Sequence, residues 1–538
     1  MRISAHREAA ELFRRAQRTI PASVGAVDRA ALHANLAAEL AAIDDNEAAA
    51  ADLVSAIQLY RQAGDQAAAA DLIPALMNAR HLLGAPLDER ADLALDALDR
   101  IPADAPHLVR ARLLGALAAA YMLDRRLEES LEFGRRAKAL AAKDAVVATD
   151  IDITVGAVLV FAGHGDEGWP LLETSIASSV AAGREAEAAR GFRMLGTSAS
   201  VLVDYPRAIE WIDAGLKFTE KSERWNDHHY LLAHLGHVRW ALGERTASVL
   251  ATRKALADGR GITTRITALI DTGYLALDLG DFGSALTALT EALALGDRMR
   301  ELQRLSPALW GLAEVALHSR EAALATELCE RAFAESDRVS DAAYLFPFVV
   351  TGTRALLDQR EPSLARLWIE RCRRPLALRA LPGTLPALAH AAGLVELFEG
   401  HTGAARALLE GASEAWDTSG RRWEGDQVLV DLAHCAARSR RPAEASRLVD
   451  LALAHARSSG SELLASLAAS VTTGADAGLL SGREHEVARL IAEGHTNREI
   501  AERLTISPKT AASHVEHILA KLGASRRTEI ATWITRNG

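Results

Sequence analysis

Apolar residues recur along most of the chain at steps of three and four, the spacing that gathers them on one face of an α-helix. Short polar or glycine breaks interrupt these stretches near Asp45, Gly84, Asp124, Gly163, Asp204, Gly243, Gly280, Ser319, Gln359, Gly400 and Ser439. Their mean period is about 39 residues, which leaves room for two helices per interval, so the repeating unit is a helical hairpin. The segment 268–293 shows the pattern most clearly. Small residues (Gly273, Ala276, Ala285) allow close helix approach, Gly280-Asp281 turns the chain, and Leu286, Leu289 and Leu293 are expected as the inward stripe. Pro86, Pro206, Pro362 and Pro442 follow several breaks, where a helix start tolerates the missing N–H.

One hairpin cannot bury its apolar face alone. Stacking about eleven of them builds a continuous core, and the expected fold is an all-α superhelical solenoid. The array resembles tetratricopeptide repeats, although their period of about 34 residues is shorter. Such arrays present a concave surface, so a protein or small-molecule effector is the partner expected there, with a mere spacer as the plainer reading.

Composition agrees. Ala, Leu and Arg dominate and only 5% of residues are aromatic, a mixture that favours helix. The arginine excess over lysine is that of a GC-rich bacterial genome. Cys329, Cys372 and Cys435 lie far apart with no CxxC, which excludes a disulfide framework or zinc ribbon and fits a reducing cytoplasm. The charged start suggests no signal peptide, and the apolar run near Ile153–Gly163 is too short to span a membrane. The net charge is −10, yet the segment from Leu480 onward carries nine Lys/Arg against seven Asp/Glu, so a polyanion should meet the C-terminal end.

Catalytic signatures are missing. The chain has no phosphate loop, no GxGxxG, HExxH or GxSxG motif, and no alternating strand–helix pattern for a receiver domain. No enzyme, metal or cofactor is expected. His234 and His237 are spaced to share a metal, but no carboxylate accompanies them in sequence and they read as packing histidines. Tyr205, Trp211, Trp225, Tyr230 and Trp240 are candidates for lining a ligand pocket, with core packing as the default.

The last sixty residues are denser in signals. The array is expected over 1–461, a short helix (462–471) and small-residue linker through 479, and a separate domain over 480–538. Ser481 with Glu484, and Thr496 with Glu499, read as capping boxes; Gly494 and Gly523 read as helix stops. The turn Thr505-Ile506-Ser507 leads to a third helix opening at Pro508, and Ser525 opens a fourth. On the third helix Ala511, Val515, Ile518, Leu519 and Leu522 share one face, with Lys509, Thr510, Ser513, Glu516 and His517 opposite. Two short helices joined by a tight turn describe a helix-turn-helix.

The segments Leu480-Ser-Gly-Arg-Glu-His-Glu-Val, Glu493-Gly-His-Thr-Asn-Arg-Glu-Ile-Ala and Ile506-Ser-Pro-Lys-Thr-Ala-Ala-Ser-His-Val-Glu-His resemble the LuxR-type helix-turn-helix. The resemblance implies a four-helix DNA-binding domain whose third helix enters the major groove and whose last helix pairs two protomers. It places Thr496, Asn497, Arg498, Lys509, Thr510, Ala512, Ser513, Glu516, His517 and Lys521 at the DNA, and Ile530, Trp533 and Ile534 at a dimer contact. Ala512 and Glu516 depart from the lysine the family often carries, as do Gly482 from proline and Ala511 from valine. The whole arrangement resembles the C-terminal part of the large ATP-binding, MalT-related LuxR-type regulators without their P-loop ATPase, either as a short relative or as a chain without its front.

The reading is a cytoplasmic bacterial transcription regulator: an effector-binding array feeding a DNA-binding domain that meets double-stranded DNA as a homodimer. The alternative is an interaction scaffold whose helix-turn-helix is weak or mainly dimerises.

Overall fold

The computed structural model describes residues 5–21, 23–141, 144–471, 482–522, 524 and 526–537; the side chains of 482, 520–521 and 535–537 lie outside this description. So do the linker after residue 471 and the expected cap and stop residues Ser481, Gly523 and Ser525. Among the described residues all regular structure is helical.

Each of the eleven breaks falls at the turn of a helical hairpin, from Ala26–Ala42 with Asn46–Gln62 to Arg422–Arg438 with Pro442–Ser459. Within the described residues up to 471, three α-helices lie outside this series: His6–Thr19 ahead of it, the short Gln66–Asp71 after the first hairpin, and Glu462–Ala469 behind the last. Every turn reverses through one residue in the left-handed region. Glycine serves at 84, 163, 243, 280 and 400, whereas Asp44, Arg125, Val203, Arg320, Arg360 and Arg440 serve elsewhere. The stripe expected for Phe282–Met299 is corrected in phase. Leu289 is buried and Leu293 half-buried, but Leu286 is 50% exposed, and Ala285, Ala288 and Ala292 complete the inner face.

Close helix approach fixes each hairpin. A Cβ placed on Gly156, Gly196, Gly236, Gly273, Gly352 or Gly393 would fall under 3.0 Å from the side chain sixteen positions later: Leu172, Ile212, Thr252, Leu289, Trp368 or Leu409. Glycine at a helix crossing thus recurs at nearly the repeat period, and a large apolar residue of the second helix fills every one of these notches but that of Gly236, where Thr252 sits. Ala145–Ala162 is the one described helix long and apolar enough to cross a membrane by composition, with mean hydropathy 1.9 over 18 residues. It exceeds the expected run Ile153–Gly163, and half of it is buried against its neighbours in the array.

The solenoid winds tightly enough for successive superhelical turns to touch. Residues 180 to 251 positions apart make direct hydrogen bonds: Asn226 with Asn46, Arg260 N–H with Asp44, Arg90 with Glu301, Arg338 with Asp124, Arg379 with Glu128. Backbone meets backbone as well. A Cβ at Gly163, where φ is +94°, would collide with the Arg379 carbonyl, and one at Gly383 would lie 2.6 Å from the Leu202 carbonyl oxygen.

At the centre of this seam stands Arg421, 4% exposed. It donates to Glu424 Oε2 at 2.6 Å and to the Tyr205 hydroxyl at 3.0 Å, and its guanidinium lies 5.1 Å from the Trp240 ring centre. Burial alone would pull its pKa down, but Glu424 and Tyr205 hold it above the usual arginine range. Trp240, Tyr274, Trp310 and Trp423 pack around it with centroids 4.7 to 6.0 Å apart, so the inner face is largely filled by its own aromatics.

Gly196→Val tests the notches, because its Cβ would lie 2.8 Å from Ile212 Cγ1 and 3.2 Å from the Ile212 backbone nitrogen. Urea unfolding should show a loss of about 1–3 kcal/mol from overpacking. Gly403→Ala, with nothing within 4 Å of the new atom, should instead gain up to about 1 kcal/mol from helix propensity. Equal midpoints for the two variants would contradict the close-approach account.

Candidate nucleic-acid interface

The helices Gly482–Ala492, Asn497–Leu504, Pro508–Leu522 and Arg527–Asn537 enclose their own core of Val487, Ala488, Ile491, Ile500, Ala501, Ala511, Val515, Ile518 and Ile530. Its apolar stripes meet each other, and Leu490, Leu504, Leu519 and Leu522 pack partly buried at the edge.

Local chemistry sets the helix starts. Thr496 forms the expected capping box: Glu499 N–H donates to Thr496 Oγ1, and Thr496 N–H donates to Glu499 Oε2 at 2.7 Å. The backbone bond from Thr496 holds the Glu499 carboxyl below its usual range, helped by the Thr496 hydroxyl. Thr505 ends the second helix in the left-handed region at φ +55°. Ser507 then caps the third helix, accepting the Thr510 N–H at 3.0 Å, and Pro508 takes the first helical position.

This geometry fixes what faces outward. Lys509, Thr510, Ser513, Glu516 and His517 are exposed, Ala512 is half-buried, and Ala511, Val515 and Ile518 point into the core. The Thr510 hydroxyl shares a 2.8 Å hydrogen bond with Ser507. Arg498 is exposed beside Glu502, 3.6 Å away. The side chain of Lys521 lies outside the described residues.

Three of the expected site residues also hold the domain together. The Thr496 hydroxyl is engaged in its cap with Glu499, and Asn497 Oδ1 accepts from Arg527 Nη1 at 2.6 Å. Arg527 also donates to the His495 carbonyl, so it clamps the fourth helix onto the start of the second. Burial lowers the Arg527 pKa. Ile530 is fully buried in the domain's own core and packs the fourth helix inward. Trp533 and Ile534 are half-buried against the same core, with the Trp533 ring edge-on to His485 at 5.7 Å. The partner of Asn497 sits thirty positions away, beyond the reach of local pattern.

In the array the five aromatics expected around one pocket separate. Tyr205 and Trp240 belong to the seam around Arg421. Trp211 is half-buried against Phe192, and Trp225 stands beside His228 and His229. Tyr230 lines a different chamber, its hydroxyl accepting from Arg304 Nη1 at 3.0 Å. His234 meets the Ser200 hydroxyl at 3.4 Å, while His237 meets Asp271 of the next hairpin at 3.2 Å, so the two histidines serve separate contacts. Burial brings His228 down to about 4 and His234 well below the usual range, which keeps both neutral. Cys329, Cys372 and Cys435 are free and buried.

Comparison with known proteins places the C-terminal helices. Residues 478–534 match the model for bacterial regulatory proteins of the luxR family. The transcriptional regulatory protein LiaR of Bacillus subtilis is 50% identical over 58 residues, 11% of this chain and 28% of that protein. The nitrate/nitrite response regulator NarL of Escherichia coli K12 is 42% identical over 73 residues, 13% of this chain and 34% of NarL. A putative HTH-type transcriptional regulator of Mycobacterium tuberculosis, Rv0890c, is 41% identical over 61 residues, 11% of this chain and 7% of its own length. The chain therefore spans about a third or less of each of these relatives. The helical array is similar in fold to a Rap protein solved with competence and sporulation factor, with a TM-score of 0.52 and 11% identity over 65% of this chain and 98% of that one. Residues 478–534 are a LuxR-family helix-turn-helix domain, joined in this chain to an all-α tetratricopeptide-like solenoid.

Proposed function

We propose that the protein is a sequence-specific, DNA-binding transcription regulator of the cytoplasm, acting as a homodimer on double-stranded DNA, with the solenoid as its effector-binding part. The observation that supports it most is the third helix of the LuxR-family domain. Its apolar face is sunk in the domain core and its outer face offers Lys509, Thr510, Ser513, Glu516 and His517 together. Two such helices about one DNA turn apart would read a two-fold-related site. Phosphate contacts from Lys509 and the arginines supply the salt-dependent part of affinity, and Ser513 and Glu516 the base-edge part.

Trp533 and Ile534 remain the residues of the fourth helix suited to a dimer contact, with Ile530 holding that helix from within. Catalysis has no place in this reading. No cofactor is assigned.

Selection of bound sequences from a random DNA pool tests the reading. The expected result is an enriched motif with two-fold symmetry; flat enrichment would favour an interaction scaffold with a dimerising helix-turn-helix.

Glu516 sharpens the test, since an exposed carboxylate repels phosphate but accepts a hydrogen bond from the cytosine N4 amine. Glu516→Gln should relax preference at one position per half-site and cost ~1–3 kcal/mol on the best site. Uniform tightening across single-base variants would refute this and leave Glu516 as a brake on non-specific binding. Lys509→Ala should weaken all sequences alike and lower the salt slope by about one unit or less.

A further inference from the structure

The seam between superhelical turns leaves one large chamber in the N-terminal half of the solenoid. Its volume is about 410 Å³, within the range of organic-ligand sites. Six arginines line it, Arg90, Arg112, Arg190, Arg193, Arg224 and Arg304, against three lining carboxylates, Asp150, Glu187 and Asp227. Glu301 and Asp71 engage Arg90 and Arg112. The lining also has an apolar part, with Met77, Leu82, Ala116, Ala120, Leu123 and Ile151.

Several observations show a built site. Tyr230 and Arg304 are nine-tenths or more buried and hydrogen-bonded to each other. Arg304 Nε is buried with no hydrogen-bond partner, its nearest carboxylate oxygen on Glu301 being 3.7 Å away, and Arg224 Nε is likewise unpartnered. Burial pushes the Glu301 carboxyl up, but His81, Arg90 and Arg304 prevail and bring it down to about 2, which keeps it charged and Arg304 fixed at the wall. Arg193 donates to Asp227 at 2.7 Å and Arg190 to Asp150 at 2.9 Å, so both are held in place at the chamber with donors to spare. The lining also includes the first turns of five helices, those starting at Ala145, Glu185, Trp225, Ile262 and Leu302. Their N-terminal dipole ends add to the positive field.

We propose that this chamber binds a small organic anion, its charged head taken by Arg190, Arg193, Arg224 and Arg304 and its apolar body laid against the Ala116–Leu123 wall. The proposal deepens the reading of the solenoid as the effector-binding part and rests on it. A neutral apolar ligand would leave the arginine excess of the lining without an anion. A bare inorganic anion would leave the apolar wall wet.

The probe is 8-anilinonaphthalene-1-sulfonate, an aromatic body with one negative charge, titrated by fluorescence into the full-length protein without DNA. The uncharged N-phenyl-1-naphthylamine, which has the same rings, is the comparison. The sulfonate should bind saturably at one site and at least about tenfold more tightly than the neutral dye, the scale of one charge-assisted hydrogen bond. Arg193→Gln or Arg190→Gln, each folded by circular dichroism, should weaken the sulfonate about tenfold and leave the neutral dye unchanged. Equal affinity of the two dyes for the unmodified protein overturns the proposal even where a variant fails to fold. Unchanged sulfonate binding in both folded variants overturns it too. A flat DNA selection with the dye result intact would sink the regulator reading alone, and the reverse outcome would sink only this site.

Discussion

The array depends on one constraint: the turn of each hairpin in the first half must dock on a connection about five hairpins further along. Backbone carbonyls take part in it, at Arg379 facing Gly163 and at Leu202 facing Gly383, so there is little room for larger side chains. The Arg90–Glu301 ion pair and the Arg421–Tyr205 hydrogen bond, buried in the same seam, are made only when the turns are in register, whereas Glu424 pairs with Arg421 locally. A solenoid of this kind is no longer a chain of nearest-neighbour contacts. Each superhelical turn braces the next, and Trp240, Tyr274, Trp310 and Trp423 fill part of the inner face that an open array would offer to solvent.

The C-terminal domain is organised by different means. Its core is small and closed, its helix starts are set by Thr496 and Ser507, and Arg527 ties the fourth helix to the second through Asn497 and His495. That bracing frees the third helix to expose a polar face without loss of its packing. Asn497 lends its Oδ1 to this bracing.

Much of this was legible in the sequence because local rules govern it. Glycine, aspartate and proline mark the hairpin turns, and the Thr496–Glu499 box and the third-helix stripe follow from spacing alone. What was not legible has physical reasons. Arg125, Val203, Arg320, Arg360 and Arg440 occupy left-handed turn positions that composition does not announce, since tertiary packing outweighs their reluctance. Leu286 lies on the wrong side because a three-residue step drifts by 60° around the helix. The burial of Ile530 depends on how all four helices of the domain pack, which local spacing does not encode. The chamber was invisible because its arginines come from several helices, 214 positions apart at the extremes of Arg90 and Arg304, and only the superhelical winding brings them together.

The winding itself is best tested by a double-mutant cycle on Arg90 and Glu301, which lie 211 positions apart in sequence and form a buried ion pair in the seam. Arg90→Met and Glu301→Gln should each cost about 3–5 kcal/mol in urea unfolding, because each strands a buried partner. The double variant should cost less than their sum by about 1–3 kcal/mol. Additivity within about 0.5 kcal/mol would mean that the two residues do not meet, and that successive turns of the solenoid stand apart.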